Sequence, residues 1–71
     1  MKVSKKRAKS IGETMGVDWS HTSLSEFHKG LNVELEHTDV TRGDLTLTGM
    51  IALAHLEEWP DYYTRLVEME K

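Results

Sequence analysis

The spacing of apolar residues along the chain predicts short amphipathic helices. In the first of them, apolar residues recur at the three- and four-residue intervals of one helical face: Ala8, Ile11 and Met15. Ser4 precedes this segment as an N-cap residue, and Gly16 follows it as the left-handed residue that commonly ends a helix. The pattern therefore predicts a first helix over residues 4–15.

A second helix is predicted to open at Ser23, which forms a Ser-x-x-Glu capping box with Glu26. Its apolar stripe contains four residues at helical spacing: Leu24, Phe27, Leu31 and Leu35. Gly30 lies inside this helix, where glycine is less favourable than alanine by about 1 kcal/mol. A glycine at such a position indicates the close approach of another backbone or a break in the helix.

The third predicted helix follows a polar loop over residues 38–43. Its cap is Asp44 or Thr46, and it runs to about Glu58. Apolar residues occupy most of its sides: Met50, Ile51, Leu53, Ala54 and Leu56. We therefore expect this helix to be the central and most buried one.

Trp59-Pro60 should end the third helix, since the residue before a proline avoids the helical conformation. Pro60 also suits the first turn of a fourth helix, which would hold Tyr62, Tyr63, Leu66, Val67 and Met69. Strand signals are poor, because only residues 45–48 alternate. The sequence predicts an all-α fold, a compact bundle of three to four short helices that forms one domain over residues 1–71.

Charge divides the chain into two parts. The first ten residues contain five basic residues and no acidic one: Lys2, Lys5, Lys6, Arg7 and Lys9. Residues 11–71 carry a net charge of −8. This acidic part disfavours nucleic-acid binding, which depends on neutralising phosphates. The basic part gives one hypothesis, an anion site at Lys5, Lys6 and Arg7 that scavenges a small ligand in an oligomer.

The composition also indicates the compartment. The chain has no cysteine, so it lacks disulfides and thiolate metal sites, as is common in a reducing cytosol. Its longest apolar run, residues 50–54, is far below the roughly 20 residues that span a bilayer. No apolar segment follows the N-terminal charges, as it would in a signal peptide. We expect a soluble, cytoplasmic protein with no membrane contact.

Two stretches resemble a known family. Residues 30–37 read GLNVELEH, and residues 51–63 read IALAHLEEWPDYY. This signature is similar to that of an uncharacterised family of short bacterial and phage proteins, classed as a domain of unknown function, over roughly residues 24–70. The resemblance implies a fold and a bacterial or phage lineage, and it assigns no activity.

The same stretches contain mirrored Glu-x-x-His and His-x-x-Glu motifs. Residues three apart share a helix face, so four side chains could form a metal site: Glu34, His37, His55 and Glu58. Imidazole and carboxylate ligands suit Zn, Fe or Mn. The alternative is that His37 pairs with Glu58, or His55 with Glu34, in a structural role. In that case no cofactor is expected.

The remaining candidate is a protein-binding surface at Trp59, Tyr62 and Tyr63. Tyrosine and tryptophan are common in interfaces, because one end of each side chain is apolar and the other can form hydrogen bonds. Neighbouring helical residues point about 100° apart, so one tyrosine can be buried while the other faces outward. Their acidic surroundings suggest a small binding module whose partner is another protein or a second copy of the chain.

We expect no enzymatic activity. The sequence has no nucleophile elbow, no phosphate-binding loop and no His-Glu-x-x-His motif. A helical domain of this length also has little room for a substrate pocket of several hundred Å³. The preferred hypothesis is therefore non-enzymatic binding, with metal binding and anion binding as alternatives.

Overall fold

The computed structural model describes residues 2–36, 42 and 44–69. Four α-helices follow one another along this part of the chain: α1 (Lys5–Met15), α2 (Leu24–Glu34), α3 (Leu45–Glu58) and α4 (Tyr62–Met69). No strand occurs among the described residues, so the predicted all-α class is confirmed. None of the four helices is long and apolar enough to cross a membrane.

Local capping chemistry sets the ends of α1 as the sequence predicts. The Ser4 hydroxyl accepts a hydrogen bond from the Arg7 backbone N–H at 3.1 Å. Gly16 has φ +81°, and the Val17 N–H donates to the Gly12 carbonyl at 2.9 Å. These are the bonds of a helix that ends in a left-handed glycine.

Ser23 caps α2 by accepting from the Glu26 backbone N–H at 3.2 Å. The second half of the predicted capping box is wrong, because the Glu26 carboxylate does not turn back to Ser23. It accepts instead from the Thr64 backbone N–H of α4, also at 3.2 Å. The first N–H groups of a helix need external acceptors, and Glu26 supplies one across the helix pair.

The end of α3 also follows the predicted pattern. Asp44 caps the helix by accepting from the Leu47 N–H at 3.0 Å, and Trp59 ends it in an extended conformation. Pro60 does not enter the next helix as predicted, because α4 begins two residues later at Tyr62. The Tyr62 N–H donates to the Trp59 carbonyl, so Pro60 lies in a turn between the two helices.

The central helix is α2, and the expectation that α3 would be the most buried is wrong. Five of the 11 residues of α2 are buried, against four of the 14 residues of α3. The physical reason is that α1 and α4 both contact α2 more extensively than they contact α3. One side of α3 therefore stays open, and Met50 is 57% exposed there.

Among the residues that the structure describes, eight buried apolar ones form the core that holds the helices together. They are Val3, Ala8, Phe27, Leu31, Leu35, Ala52, Leu56 and Tyr63. Gly30 of α2 lies against the Tyr63 ring, and a Cβ atom there would overlap Cε2 and lie 2.9 Å from Cδ2 of that ring. The glycine therefore serves the close approach of a neighbouring side chain, and α2 passes through it unbroken.

Val3, two residues before α1, is fastened to α2 by polar side chains. The Val3 N–H donates to Asn32 Oδ1 at 2.7 Å, and Asn32 Nδ2 donates back to the Val3 carbonyl at 3.1 Å. His28 Nε2 lies 2.8 Å from the same carbonyl. Because a carbonyl can only accept, His28 carries a proton on Nε2. The chain is thus held in place from residue 3 onward.

Replacing Gly30 by alanine tests how the Tyr63 ring packs against α2. Alanine would gain about 1 kcal/mol in helix propensity, but the overlap with a fully buried ring should cost about 1–3 kcal/mol. We expect Gly30→Ala to lower the free energy of unfolding, measured by urea denaturation. Ser25→Ala is the control, because Ser25 is exposed on α2 and should gain a few tenths of a kcal/mol. A Gly30→Ala protein as stable as this control would contradict the proposed packing.

Candidate functional site

Tyr63 is the centre of a buried polar network. Its side chain is 0% exposed. The phenol O–H donates to Glu34 Oε2 at 2.8 Å, and His55 Nδ1 lies 3.0 Å from the phenol oxygen. His55 Nδ1 also lies 3.2 Å from Glu34 Oε2. We call these three residues the Tyr63 network; they join α2, α3 and α4.

The donors and acceptors of the network fix the form of the imidazole. The single phenol proton of Tyr63 stays on its oxygen and forms the hydrogen bond to Glu34 Oε2, which accepts it. Both oxygens near His55 Nδ1 are therefore acceptors, so Nδ1 carries a proton. In the neutral ring the lone pair then lies on Nε2 of His55, whose side chain is 35% exposed.

The same surroundings keep the Tyr63 phenol protonated. Burial raises the pKa of Tyr63 far above its ordinary value, because the phenolate would lose its hydration. The hydrogen bond to Glu34 and the negative charge of that carboxylate raise the pKa further. The phenol is thus a stable hydrogen-bond donor at every physiological pH.

A second carboxylate is buried between α2 and α4. Glu26 is 6% exposed, and its Oε1 accepts from Thr64 as described above. Its Oε2 is buried and has no hydrogen-bond partner among the described residues. Thr64 forms a second contact with α2, because Lys29 Nζ donates to its hydroxyl at 3.2 Å. These contacts join the start of α4 to the first half of α2.

A row of stacked side chains leads from the network to the surface. The His55 ring stacks on Tyr62 with centroids 4.5 Å apart and planes at 8°. The centroids of the Tyr62 and Trp59 rings lie 6.4 Å apart. The Arg65 guanidinium carbon lies 5.7 Å from the centroid of the Trp59 ring. Arg65 also pairs with Asp61 at 2.8 Å, as their i,i+4 spacing predicts.

An open groove lies along this row. Its volume is about 360 Å³, and it is lined by Trp59, Tyr62, Arg65, Leu66 and Met69. Four of these residues follow the i, i+3, i+4, i+7 spacing of one face of α4, and Trp59 comes from the turn before it. Trp59 is 54% exposed and Met69 82%. We call this feature the Trp59 groove.

The structure divides the predicted protein-binding residues into two groups. Trp59 and Tyr62 line the groove at the surface. Placing Tyr63 in a binding surface is wrong, because its ring is fully buried against Gly30. Successive helical residues point in different directions, so Tyr63 faces the core while Tyr62 faces the groove. Sequence analysis did not single out Arg65, Leu66 and Met69 as groove residues.

The predicted metal ligands come together only in part. Glu34 and His55 meet, as the structural alternative for this pair predicts, and Tyr63 joins them. Glu58 is exposed at the end of α3, and His37 lies outside the described residues. Within the described parts of the chain, no group of three or more histidine and carboxylate side chains could hold a metal ion.

The predicted anion-binding residues lie at the start of α1. Lys5, Lys6 and Arg7 are all exposed in its first turn. Arg7 also lines a shallow groove of about 190 Å³ between α1 and the start of α3. All three cations are therefore accessible to solvent, and the anion hypothesis stays a prediction.

Sequence analysis missed Tyr63 as the link between Glu34 and His55. A signal for it was present in the four-residue spacing of Gly30 and Glu34, which puts both on one face of α2. A glycine leaves space for an aromatic ring on that face, and a carboxylate one turn later can accept a hydrogen bond from a hydroxyl on the ring. Which tyrosine it would be depends on how α4 packs, and local spacing does not determine that.

Replacing Tyr63 by phenylalanine tests the network and its pH dependence. The unfolded chain ionises this phenol near pH 10, whereas the folded chain keeps the proton. A raised folded pKa gives stability that is complete below the unfolded pKa and is lost as pH rises above it. The wild-type free energy of unfolding should therefore fall above about pH 10, by up to about 1.4 kcal/mol per pH unit from this group.

Tyr63→Phe should not show this alkaline loss of stability. Near neutral pH its free energy of unfolding should be lower than that of the wild type by about 1–3 kcal/mol, because Glu34 loses a buried donor. Urea denaturation at about pH 8 and about pH 11 measures both effects, on either side of the unfolded pKa. Tyr62→Phe is the control and should keep the alkaline loss that comes from Tyr63. Equal pH dependence of wild type and Tyr63→Phe would show that the buried phenol is not protonated as described.

Comparisons with known proteins place this arrangement in a family. No curated protein and no solved structure matches the chain. A family model described as "Protein of unknown function (DUF5661)" matches residues 8–71. The matched range includes the Tyr63 network and the Trp59 groove, and it confirms the predicted membership of an uncharacterised family. The chain belongs to the DUF5661 family of proteins of unknown function.

Proposed function

We propose that the protein is a non-enzymatic binding module that receives a basic, amphipathic segment of another protein in the Trp59 groove. The observation that carries this proposal is the groove itself, where a half-exposed tryptophan and three apolar or aromatic neighbours form one continuous surface. Isolated apolar residues on a surface are ordinary, whereas a contiguous apolar groove marks a binding site.

The residues of the groove are those that dominate protein interfaces. Tryptophan, tyrosine and arginine are enriched among the residues that contribute most binding energy. Here the Trp59 ring lies beside both the Tyr62 ring and the Arg65 guanidinium. Its position is therefore set before a partner arrives, so that little side-chain entropy is lost on binding.

The charges around the groove favour a basic partner. Exposed carboxylates occur at the end of α3, in the turn and on α4: Glu57, Glu58, Asp61 and Glu68. Arg65 is the one basic residue of the lining, and Asp61 pairs with it. A partner with lysine or arginine beside its apolar side chains would be attracted to this rim and would bind faster at low salt.

The Tyr63 network supports this surface from below. His55 is fixed by Glu34 and Tyr63 through its Nδ1 atom, and the face of the same ring stacks on Tyr62. In this proposal Tyr63 is a supporting core residue and makes no contact with the partner. The resemblance described above supports a bacterial or phage origin, and the lack of cysteine supports a cytoplasmic location.

Selection from a displayed library of random peptides tests the proposal. We expect the enriched peptides to combine apolar side chains with net positive charge. Trp59→Ala should weaken their binding by about 30-fold or more, the effect of losing about 2 kcal/mol at a central interface residue. Isothermal titration calorimetry measures the change, and a circular dichroism spectrum checks that the helices remain.

Val67→Ala is the matched control for this experiment. Val67 is 44% exposed on α4, but it does not line the groove. It should bind the same peptides as the wild-type protein does. Enriched peptides that are acidic, or that bind Trp59→Ala as tightly as wild type, would contradict the proposal, as would a selection that enriches nothing.

A metal site at His55 is the second candidate function, and one observation favours it. Histidines that bind metal usually donate the proton of the other ring nitrogen to a carboxylate or a similar acceptor. His55 does so through Nδ1 toward Tyr63 and Glu34, which leaves the Nε2 lone pair for a ligand. In this arrangement Glu34 orients the imidazole and does not itself bind the metal, so the described residues supply His55 as a single ligand and no complete site.

Thermal unfolding with Zn²⁺ added, and again after a chelator, tests this second function. Binding to the folded state alone raises the melting temperature. We expect Zn²⁺ to raise it for the wild-type protein and for His21→Ala, whose histidine lies exposed before α2. His55→Ala should show no rise. A wild-type protein indifferent to both Zn²⁺ and chelator would rule out the metal site.

A further inference from the structure

The side of α3 that points away from the core is apolar and uncovered. The core side consists of Thr48, Gly49, Ala52 and Leu56. Directly opposite, three exposed residues follow one another at helical spacing: Leu47, Met50 and Ala54. Leu47 is 38% exposed and Met50 57%. We call these three residues the α3 stripe, and they do not belong to the Trp59 groove.

The α3 stripe is neutral along its length, with a cation and a capping carboxylate before it and two carboxylates after it. Residues 45–54 contain no charged side chain. Arg42 is exposed before the start of α3, where the helix dipole is positive. Asp44, which also lies there, uses its carboxylate as the helix cap. Glu57 and Glu58 are exposed at the far end, where the dipole is negative.

We propose that the α3 stripe binds the α3 stripe of a second copy of this chain, with the two helices antiparallel about a two-fold axis near Met50. Such an interface uses the same patch on both copies. Arg42 precedes the first residue of α3, and Glu58 is the last residue of that helix. The antiparallel arrangement therefore brings the end of α3 that follows Arg42 in one copy toward the end that carries Glu57 and Glu58 in the other.

Charge complementarity selects this occupant and this direction. A parallel pair would bring Glu57 and Glu58 of the two copies together and would align the two helix dipoles unfavourably. A basic partner of the kind proposed for the Trp59 groove would find no carboxylate along residues 45–54. The small Ala54 side chain also allows the two helices to approach closely. A chain of 71 residues has a limited core of its own, so the added burial stabilises it.

Sedimentation equilibrium over a range of concentrations tests the proposal. The wild-type protein should sediment as a dimer. Met50→Glu should weaken the dimer by more than about 100-fold, because it would place two like charges at the two-fold axis. Since Met50 is exposed, the helical circular dichroism spectrum should not change. Met69→Glu is the control: Met69 is 82% exposed on α4, so this variant should remain a dimer.

A charge exchange tests the antiparallel direction. Arg42→Glu and Glu58→Lys should each weaken the dimer by a few-fold, and the double variant should restore it. A wild-type protein that is monomeric up to millimolar concentration would overturn the proposal, as would a dimer unaffected by Met50→Glu. Single and double charge variants with equal affinity would refute the antiparallel arrangement. A monomer whose α3 amide signals shift with the selected peptides would assign the stripe to a foreign partner and overturn the proposal.

Discussion

The attachment of α4 depends on the contact between the Tyr63 ring and Gly30. A helix of eight residues is too short to be stable alone, so it forms only where tertiary contacts hold it. The missing side chain at Gly30 makes room for the ring, and Glu34 lies one turn further along α2, where it accepts the hydrogen bond from the phenol O–H. Glu26, one turn before Gly30 on α2, accepts a hydrogen bond from the Thr64 N–H in the first turn of α4. The surface features near the C-terminal end of the described chain follow from this attachment.

His55 connects the interior of the protein to its surface. One edge of its ring takes part in the buried network, and one face supports Tyr62, which in turn packs against Trp59. A disturbance of Glu34 would therefore reach the groove through only two rings. The two adjacent tyrosines have different roles, because Tyr63 is buried and contributes to stability whereas Tyr62 lines the exposed groove.

Features that depend on neighbours in sequence could be predicted, and features that depend on neighbours in space could not. Ser23 begins α2 and Gly16 ends α1 as expected, because each cap depends on backbone groups that are close in sequence. The role of Glu26 was mispredicted, because its acceptor capacity is used by a helix almost forty residues away. The Glu34–His55 pair was among the sequence hypotheses, whereas the linking hydroxyl of Tyr63 depends on packing that no local pattern encodes.

The fastening of Val3 to α2 has a consequence for the charge of the molecule. Lysines and an arginine at the start of a chain often belong to a flexible arm, whose field averages over many positions. Here Asn32 and His28 hold the backbone at residue 3, and α1 continues from there as a rigid helix. The positive charge of α1 therefore keeps a fixed position relative to the described carboxylates of the other helices. A charged molecule would therefore approach a fixed pattern of charge, which can orient the protein before any contact is made.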